Sequence, residues 1–265
     1  MDFKIGVMSH GFRLPPFDGI RKAAEIGAGG VQIYALDGEI SPKMDKAKRL
    51  ELCRLVDSLG IKISALCGDT GRGFANEQQN PETLEISKAI VDLAVDLGTN
   101  VVTTHVGTVP PDRDNPTYQV MLKACRELAD YAATKKVTFA VETGPEKAPI
   151  LKQFLDDIDS SGLGVNLDPA NLVMCSADDP VAAVHTLAKY IVHTHAKDGI
   201  QLNPPKDGRR WLEVPLGEGG VPWPEYLAAL DAIGFHGFLT IEREVGADPI
   251  ADITKAVEFL KKHIA

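Results

Sequence analysis

Four side chains of metal-ligand type stand near the ends of apolar runs in the second half of the chain. They are Glu142 in VTFAVET, Asp168 in LGVNLDPAN, His195 in YIVHTHAKDG and Glu242 in GFLTIERE. One imidazole with three carboxylates suits borderline to hard divalent ions such as Mn, Co, Mg or Zn, and the lack of a thiolate argues against a structural zinc site. A metal with open positions can bind two neighbouring oxygens of a hydroxy-carbonyl substrate and acidify the C–H beside the carbonyl. Two carboxylates facing each other across that substrate can take a proton from one face and return one to the other. The result is epimerisation or carbonyl migration through a metal-bound enediolate, with Glu142 and Glu242 as the acid–base pair. Taken singly, each residue has a plainer reading. Asp168 before Pro169 can cap a turn, Glu242 can pair with Arg243, and either His195 or His193 can be a hydrogen-bonded core histidine. Four ligand-type residues at corresponding positions raise the metal reading above these.

Such residues converge only if their runs lie parallel with the same ends together. The sequence supplies that arrangement, because short runs rich in Val, Ile, Phe and Thr alternate eight times with longer helix-patterned stretches. The first four strands are expected at Phe3–Ser9, Gly30–Tyr34, Lys62–Cys67 and Asn100–Val106, and the last four are those already quoted. The helices are expected near 18–27, 42–59, 81–97, 116–134, 149–159, 179–188, 223–233 and 248–262, several closed by a glycine. Strict alternation implies parallel strands with helical crossovers. Eight units in 265 residues favour a closed barrel. The expectation is α/β, a single (β/α)8 TIM barrel domain over residues 1–265, with the site at the C-terminal mouth. A doubly wound open sheet is disfavoured because SHGFRLPP, after the first strand, has no GxGxxG. In a strand, side chains two apart share a face, so His193 and His195 point the same way. The segment Gly199–Val221 is expected to be an irregular loop over the mouth, and PLGEGG within it a tight turn that aims the next helix.

Acidic residues outnumber basic ones, 37 to 28, for a net charge of -9. This argues against nucleic acid held through its phosphates. Cys53, Cys67, Cys125 and Cys175 show no metal-like spacing and read as reduced, mostly buried thiols of a cytoplasmic protein. The N-terminus lacks the pattern of a secretory signal, and no apolar run is long enough to cross a membrane.

VETG, NLDPANL, VHTHAKDG and PLGEGGVPWPEYLAALDAIGFHGFLTIERE resemble the xylose isomerase-like barrel superfamily, which includes ketose 3-epimerases, inosose isomerases and dehydratases, and endonuclease IV. The resemblance implies that Glu142, Asp168, His195 and Glu242 bind the metal, the second histidine of HxH being the ligand and His193 its neighbour. Asn171 falls where the ketose epimerases carry a histidine, and Gln201 where they carry an arginine. The Lys197–Asp198 pair looks more like isomerases and dehydratases of keto-inositols. Asn171, Lys197 and Asp198 are expected to contact substrate, together with His105 after the fourth strand and His10 after the first. Asp69 follows the third strand. Arg13, Arg72, Arg209 and Arg210 are candidates to meet a phosphate or carboxylate. The implied activity is a divalent-metal-dependent sugar isomerase or epimerase acting on a small carbohydrate, as a homodimer or homotetramer. The rivals are a dehydratase using the same first proton abstraction, an endonuclease IV-like nuclease and a non-catalytic partner subunit.

Overall fold

The computed structural model describes residues 1–264. In chain order the strands are β1 (Lys4–Met8), β2 (Gly30–Tyr34), β3 (Lys62–Cys67), β4 (Val101–Thr104), β5 (Thr138–Glu142), β6 (Leu163–Leu167), β7 (Ile191–Ala196), β8 (Asp198–Lys206), β9 (Arg209–Val214) and β10 (Phe238–Ile241). The helices are α1 (Pro16–Glu25), α2 (Lys46–Ser58), α3 (Asn80–Asp96), α4 (Pro116–Thr134), α5 (Ala148–Ile158), α6 (Pro169–Asn171), α7 (Pro180–Leu187), α8 (Trp223–Ala232) and α9 (Pro249–Ile264). Several begin where the sequence offers a start signal. Asp45 accepts from Lys48 N at 2.8 Å to cap α2, and Asp179 accepts from Val181 N at 2.8 Å to cap α7.

Eight strands close into a parallel barrel in the order β1-β10-β7-β6-β5-β4-β3-β2, as the alternating pattern predicts. The main core lies between the outer face of the barrel and the helices, where Ile33, Phe139, Leu167 and Leu239 meet helix residues such as Leu52, Leu128 and Leu260. A second, small apolar cluster of Ala65, Val101 and Ala140, with Val192 against it, lies apart from that core. Two register shifts interrupt the ladders. Val31 pairs with Ile63 but Gln32 with Ala65, leaving Ser64 as an extra residue. Likewise Val165 pairs with Ile191 but Asn166 with His193, leaving Val192 extra. Such bulges re-aim the side chains that follow them.

Gly30 and Phe238 meet across the lower part of the barrel. A Cβ on Gly30 would stand 2.8 Å from Phe238 Cζ and 3.1 Å from the Lys62 carbonyl oxygen. Gly30→Ala therefore overpacks a site bounded on one side by backbone. It is expected to cost about 2 kcal/mol in denaturant unfolding, with much of the loss recovered by adding Phe238→Leu. An unchanged midpoint for the single variant would mean that the ring moves aside freely.

The expected irregular loop after β7 is a correction. Residues 198–214 form an antiparallel hairpin, β8 against β9, with Gly199 opposite Glu213 and Gln201 opposite Trp211. Asp207 and Gly208 both have positive φ, 51° and 75°, which is the geometry of the tight turn that matches strand twist. Asp-Gly was the signal for it, masked by Pro204 and Pro205, which a two-stranded ribbon tolerates because its outer edges need no donor. The four cysteines are free. Cys67 and Cys125 are buried as expected, whereas Cys53 is half-buried and Cys175 exposed. Among the described residues no helix is long and apolar enough to cross a membrane.

Candidate metal and catalytic centre

The four expected ligands meet. One ligand atom from each of Glu142, Asp168, His195 and Glu242 lies within 4.8 Å of the others, and all four residues are buried. His195 Nδ1 is at the centre, 3.1 Å from Glu242 Oε2, 3.3 Å from Glu142 Oε1 and 3.5 Å from Asp168 Oδ2. Each arrives from a different strand end. Glu142 is the last residue of β5, Asp168 follows β6, His195 lies near the end of β7, and Glu242 follows β10. Asp168 fills the capping role its sequence allows and leaves its other oxygen free. Its Oδ1 caps the turn by accepting from Ala170 N at 2.8 Å and Asn171 N at 3.0 Å. Its Oδ2 is buried without a hydrogen-bond donor. A bare carboxylate oxygen in a buried site is costly unless a cation meets it, so the donor set fits a divalent ion.

The electrostatics point the same way. Against the cost of burial, Glu142 and Glu242 hold the His195 ring well above its ordinary pKa, so the carboxylates gather positive charge onto the point they surround. Also against burial, Lys197 and His195 hold Glu242 well below the usual carboxylate range. Burial instead pushes Asp168 upward.

A polar layer beneath these four residues was not anticipated. Asn166, two residues before Asp168 and on the same face of β6, donates to Glu142 Oε2 at 3.1 Å and accepts from His193 Nδ1 at 2.8 Å. His193 Nε2 lies 2.9 Å from Thr240 Oγ1. Burial, with the charge on His195, holds His193 neutral. The two histidines do share a face, their rings 5.9 Å apart and nearly perpendicular. Gln32 of β2 accepts from His195 Nε2 at 2.9 Å and donates to Thr103 Oγ1 at 2.8 Å. Thr143 ties β5 to β6, donating to Asp168 O at 2.9 Å and accepting from Asp168 N at 2.8 Å. A glutamine or asparagine inside an apolar strand was the sequence signal for two of these residues.

The expected substrate contacts divide. His105 stands at the rim, with Nδ1 2.9 Å from Asp69 Oδ2 and Nε2 3.4 Å from Glu142 Oε1. Glu142, opposed by burial and aided by Asp69, pushes its pKa up to about 9. Asn171 donates to Glu142 Oε1 at 3.3 Å and Thr143 O at 3.1 Å. Lys197 is buried and donates to Glu242 Oε2 at 3.0 Å and Glu244 Oε2 at 2.8 Å, with Glu213 Oε2 of β9 4.0 Å away. His10 is an exposed rim residue whose ring lies 5.6 Å from that of Tyr34.

Asp198 is a correction, because its carboxylate is spent on the backbone. Oδ1 accepts from Gly199 N at 2.9 Å and Val221 N at 3.2 Å. Oδ2 accepts from Gly217 N at 3.0 Å, Gly219 N at 3.1 Å and Trp223 Nε1 at 3.0 Å. It is the clasp of the PLGEGG turn, not a substrate contact, and a Cβ on Gly219 would stand 2.6 Å from Gly199 N. Two of the arginines are also engaged. Arg13 donates to Gly246 O and Glu244 O, both at 3.0 Å, and Arg72 pairs with Glu82 at 2.6 Å.

The family described as xylose isomerase-like TIM barrel matches residues 20–263. The structure of a xylose isomerase domain protein from Planctomyces limnophilus superposes with a TM-score of 0.84 at 25% identity, covering 98% of this chain and 96% of that one. The probable 3-DHS dehydratase AsbF of Bacillus anthracis superposes at 0.80 with 20% identity, covering 98% of this chain and 99% of that one, a likeness of fold. The putative L-ribulose-5-phosphate 3-epimerase SgbU of Haemophilus influenzae is 24% identical over 226 residues, 81% of this chain and 78% of that protein.

Proposed function

Because the chain belongs to the xylose isomerase-like TIM barrel family, we propose that it is a divalent-metal-dependent isomerase or epimerase of a small carbohydrate, acting as one barrel domain. The observation that carries this reading is the buried cluster of Glu142, Asp168, His195 and Glu242, with Asp168 Oδ2 left bare at its centre. These four residues would hold the ion, Mn, Co, Mg or Zn, which when bound polarises a substrate carbonyl and acidifies the neighbouring C–H.

The two glutamates are not equivalent. Glu242 commits Oε2 to Lys197 and to the cluster, and among the described residues Oε1 has no donor, so Oε1 is the free base. Both oxygens of Glu142 have donors, Asn171 at Oε1 and Asn166 at Oε2, with His105 Nε2 also 3.4 Å from Oε1. With both oxygens held, Glu142 would hold or return a proton on the opposite face, and the rim imidazole of His105 would meet a substrate hydroxyl. One observation favours a dehydratase as the second reading. The buried Lys197 ammonium beside Glu242 is a fixed positive charge that would favour a departing hydroxyl, and the proton first taken by a glutamate, returned to that hydroxyl, would end in loss of water. A three-metal nuclease is not supported, because among the described residues the ligand-type side chains form one four-residue group.

Solvent exchange tests the reading. The chelator-stripped protein, reloaded with Mn, Co or Mg in heavy water, is expected to introduce deuterium beside the carbonyl of a ketose, a keto-inositol or a phosphate of either. Chelator is expected to reduce the rate at least 100-fold. The product mass separates isomerase from dehydratase. A fully loaded protein that exchanges no proton across a broad panel would refute the proposal.

A further inference from the structure

We propose that Gln32 is a positioning residue that selects how His195 presents itself to a metal, leaving Nδ1 as the ligand atom; the inference rests on the metal reading above. A neutral imidazole carries its proton on one nitrogen and offers the lone pair of the other, and the partner of the first decides which is which. For His195 that partner is the Gln32 amide oxygen, 2.9 Å from Nε2, on the side of the ring away from the carboxylates. The oxygen faces the ring, and the amide nitrogen faces Thr103 Oγ1, 2.8 Å away. Both Gln32 and Thr103 are fully buried, so no exposed rotamer competes.

The other polar neighbour of the ring does not make this choice. Asn166 must turn its nitrogen toward Glu142 Oε2, 3.1 Å away, because a carboxylate only accepts. That nitrogen is 3.1 Å from Nε2 and 3.4 Å from Nδ1, nearly equidistant, and so lies along neither lone pair. Thr240 and Asn166 occupy both nitrogens of His193, which therefore cannot replace His195 as ligand. The bulge of β3 also bears on the inference, because Gln32 is the first residue paired beyond the extra Ser64. Beyond it Ala65, a small residue, lies opposite Gln32, whose side chain reaches across the barrel from β2 to β7.

The test measures the metal and the ring, not turnover. Binding of Mn to the full-length, chelator-stripped protein is followed by calorimetry for the wild type, Gln32→Leu and Gln32→Glu. The leucine variant is expected to bind about 10- to 100-fold more weakly. The glutamate variant, which restores an acceptor to Nε2, is expected to stay within about threefold of the wild type or bind more tightly. Nitrogen-15 NMR of the Zn-loaded wild type is expected to place the His195 proton on Nε2, an observation that does not depend on either variant folding. Full Mn affinity in a folded leucine variant overturns the inference. So does a glutamate variant as weak as the leucine one, or a ring protonated at Nδ1. A wild type that binds no divalent ion instead overturns the metal reading itself, so the two failures are distinguishable.

Discussion

Glu242→Gln is expected to keep the fold and to lower kcat by about 10³-fold, within the 10²- to 10⁴-fold range of general acid–base groups. The argument starts from the difference between its two oxygens. Oε2 is held by Lys197 at 3.0 Å and faces His195 Nδ1 at 3.1 Å, so it is a fixed point of the cluster. Oε1 has no such duty. An amide at this position keeps the shape and one oxygen for the cluster but cannot accept a proton. The comparison is made at saturating Mn, with metal content measured on the same sample, so that lost chemistry is separated from lost metal. A loaded Glu242→Gln protein within tenfold of the wild type would remove Glu242 from the acid–base pair. Intact ligand binding in a chain with no turnover to lose would instead favour a non-catalytic role.

Asp198→Ala is expected to lower stability by about 4 kcal/mol and the Tm by roughly 7 °C, the largest effect anticipated away from the metal ligands. One carboxylate takes five N–H groups, and the donors of Gly199, Val221 and Trp223 are buried. Water can reach Gly217 more easily, because that residue is exposed, so the cost is dominated by the three buried donors. Asp198→Asn, which keeps one acceptor oxygen and introduces an NH2 facing other donors, is expected to recover only part of the loss. Thermal unfolding of the three proteins decides it, and an alanine variant within 1 kcal/mol of the wild type would show that the turn holds without its clasp.

Much of the barrel and the four-residue cluster at its mouth were legible because both follow from local pattern. Short runs rich in Val, Ile, Phe and Thr and glycine-ended helices are readable one segment at a time. Glu142, Asp168, His195 and Glu242 stand out as charged groups where such runs end. What stayed hidden depends on closure. Gln32 and His195 are 163 residues apart and become partners only when the barrel brings β2 opposite β7. Asn166 was visible as a polar residue in an apolar strand, but its two partners were not. Asp198 was expected at the substrate because the Lys197–Asp198 pair resembles that of keto-inositol isomerases and dehydratases, while four of its five N–H partners lie beyond the hairpin, at Gly217, Gly219, Val221 and Trp223. The density of glycines at 217, 219 and 220 was the available sign that bare backbone N–H groups needed an acceptor. The hairpin tip was announced by Asp207–Gly208 and obscured by prolines.

The two extra residues in the barrel wall also set a rule for anyone who edits or aligns this chain. Val192 and His193 are consecutive, yet both pack inside, Val192 against the small apolar cluster and His193 against Asn166 and Thr240. Counting inward and outward positions by parity from the start of β7 thus loses step at Val192, and from the start of β3 at Ser64. Deleting either residue would remove the bulge and leave a regular ladder with its pairs unchanged. The residues on either side keep their faces, Ile191 and Ile63 toward the helices and His193 and Ala65 toward the barrel interior, so a barrel without the bulge aligns with a gap opposite 64 or 192.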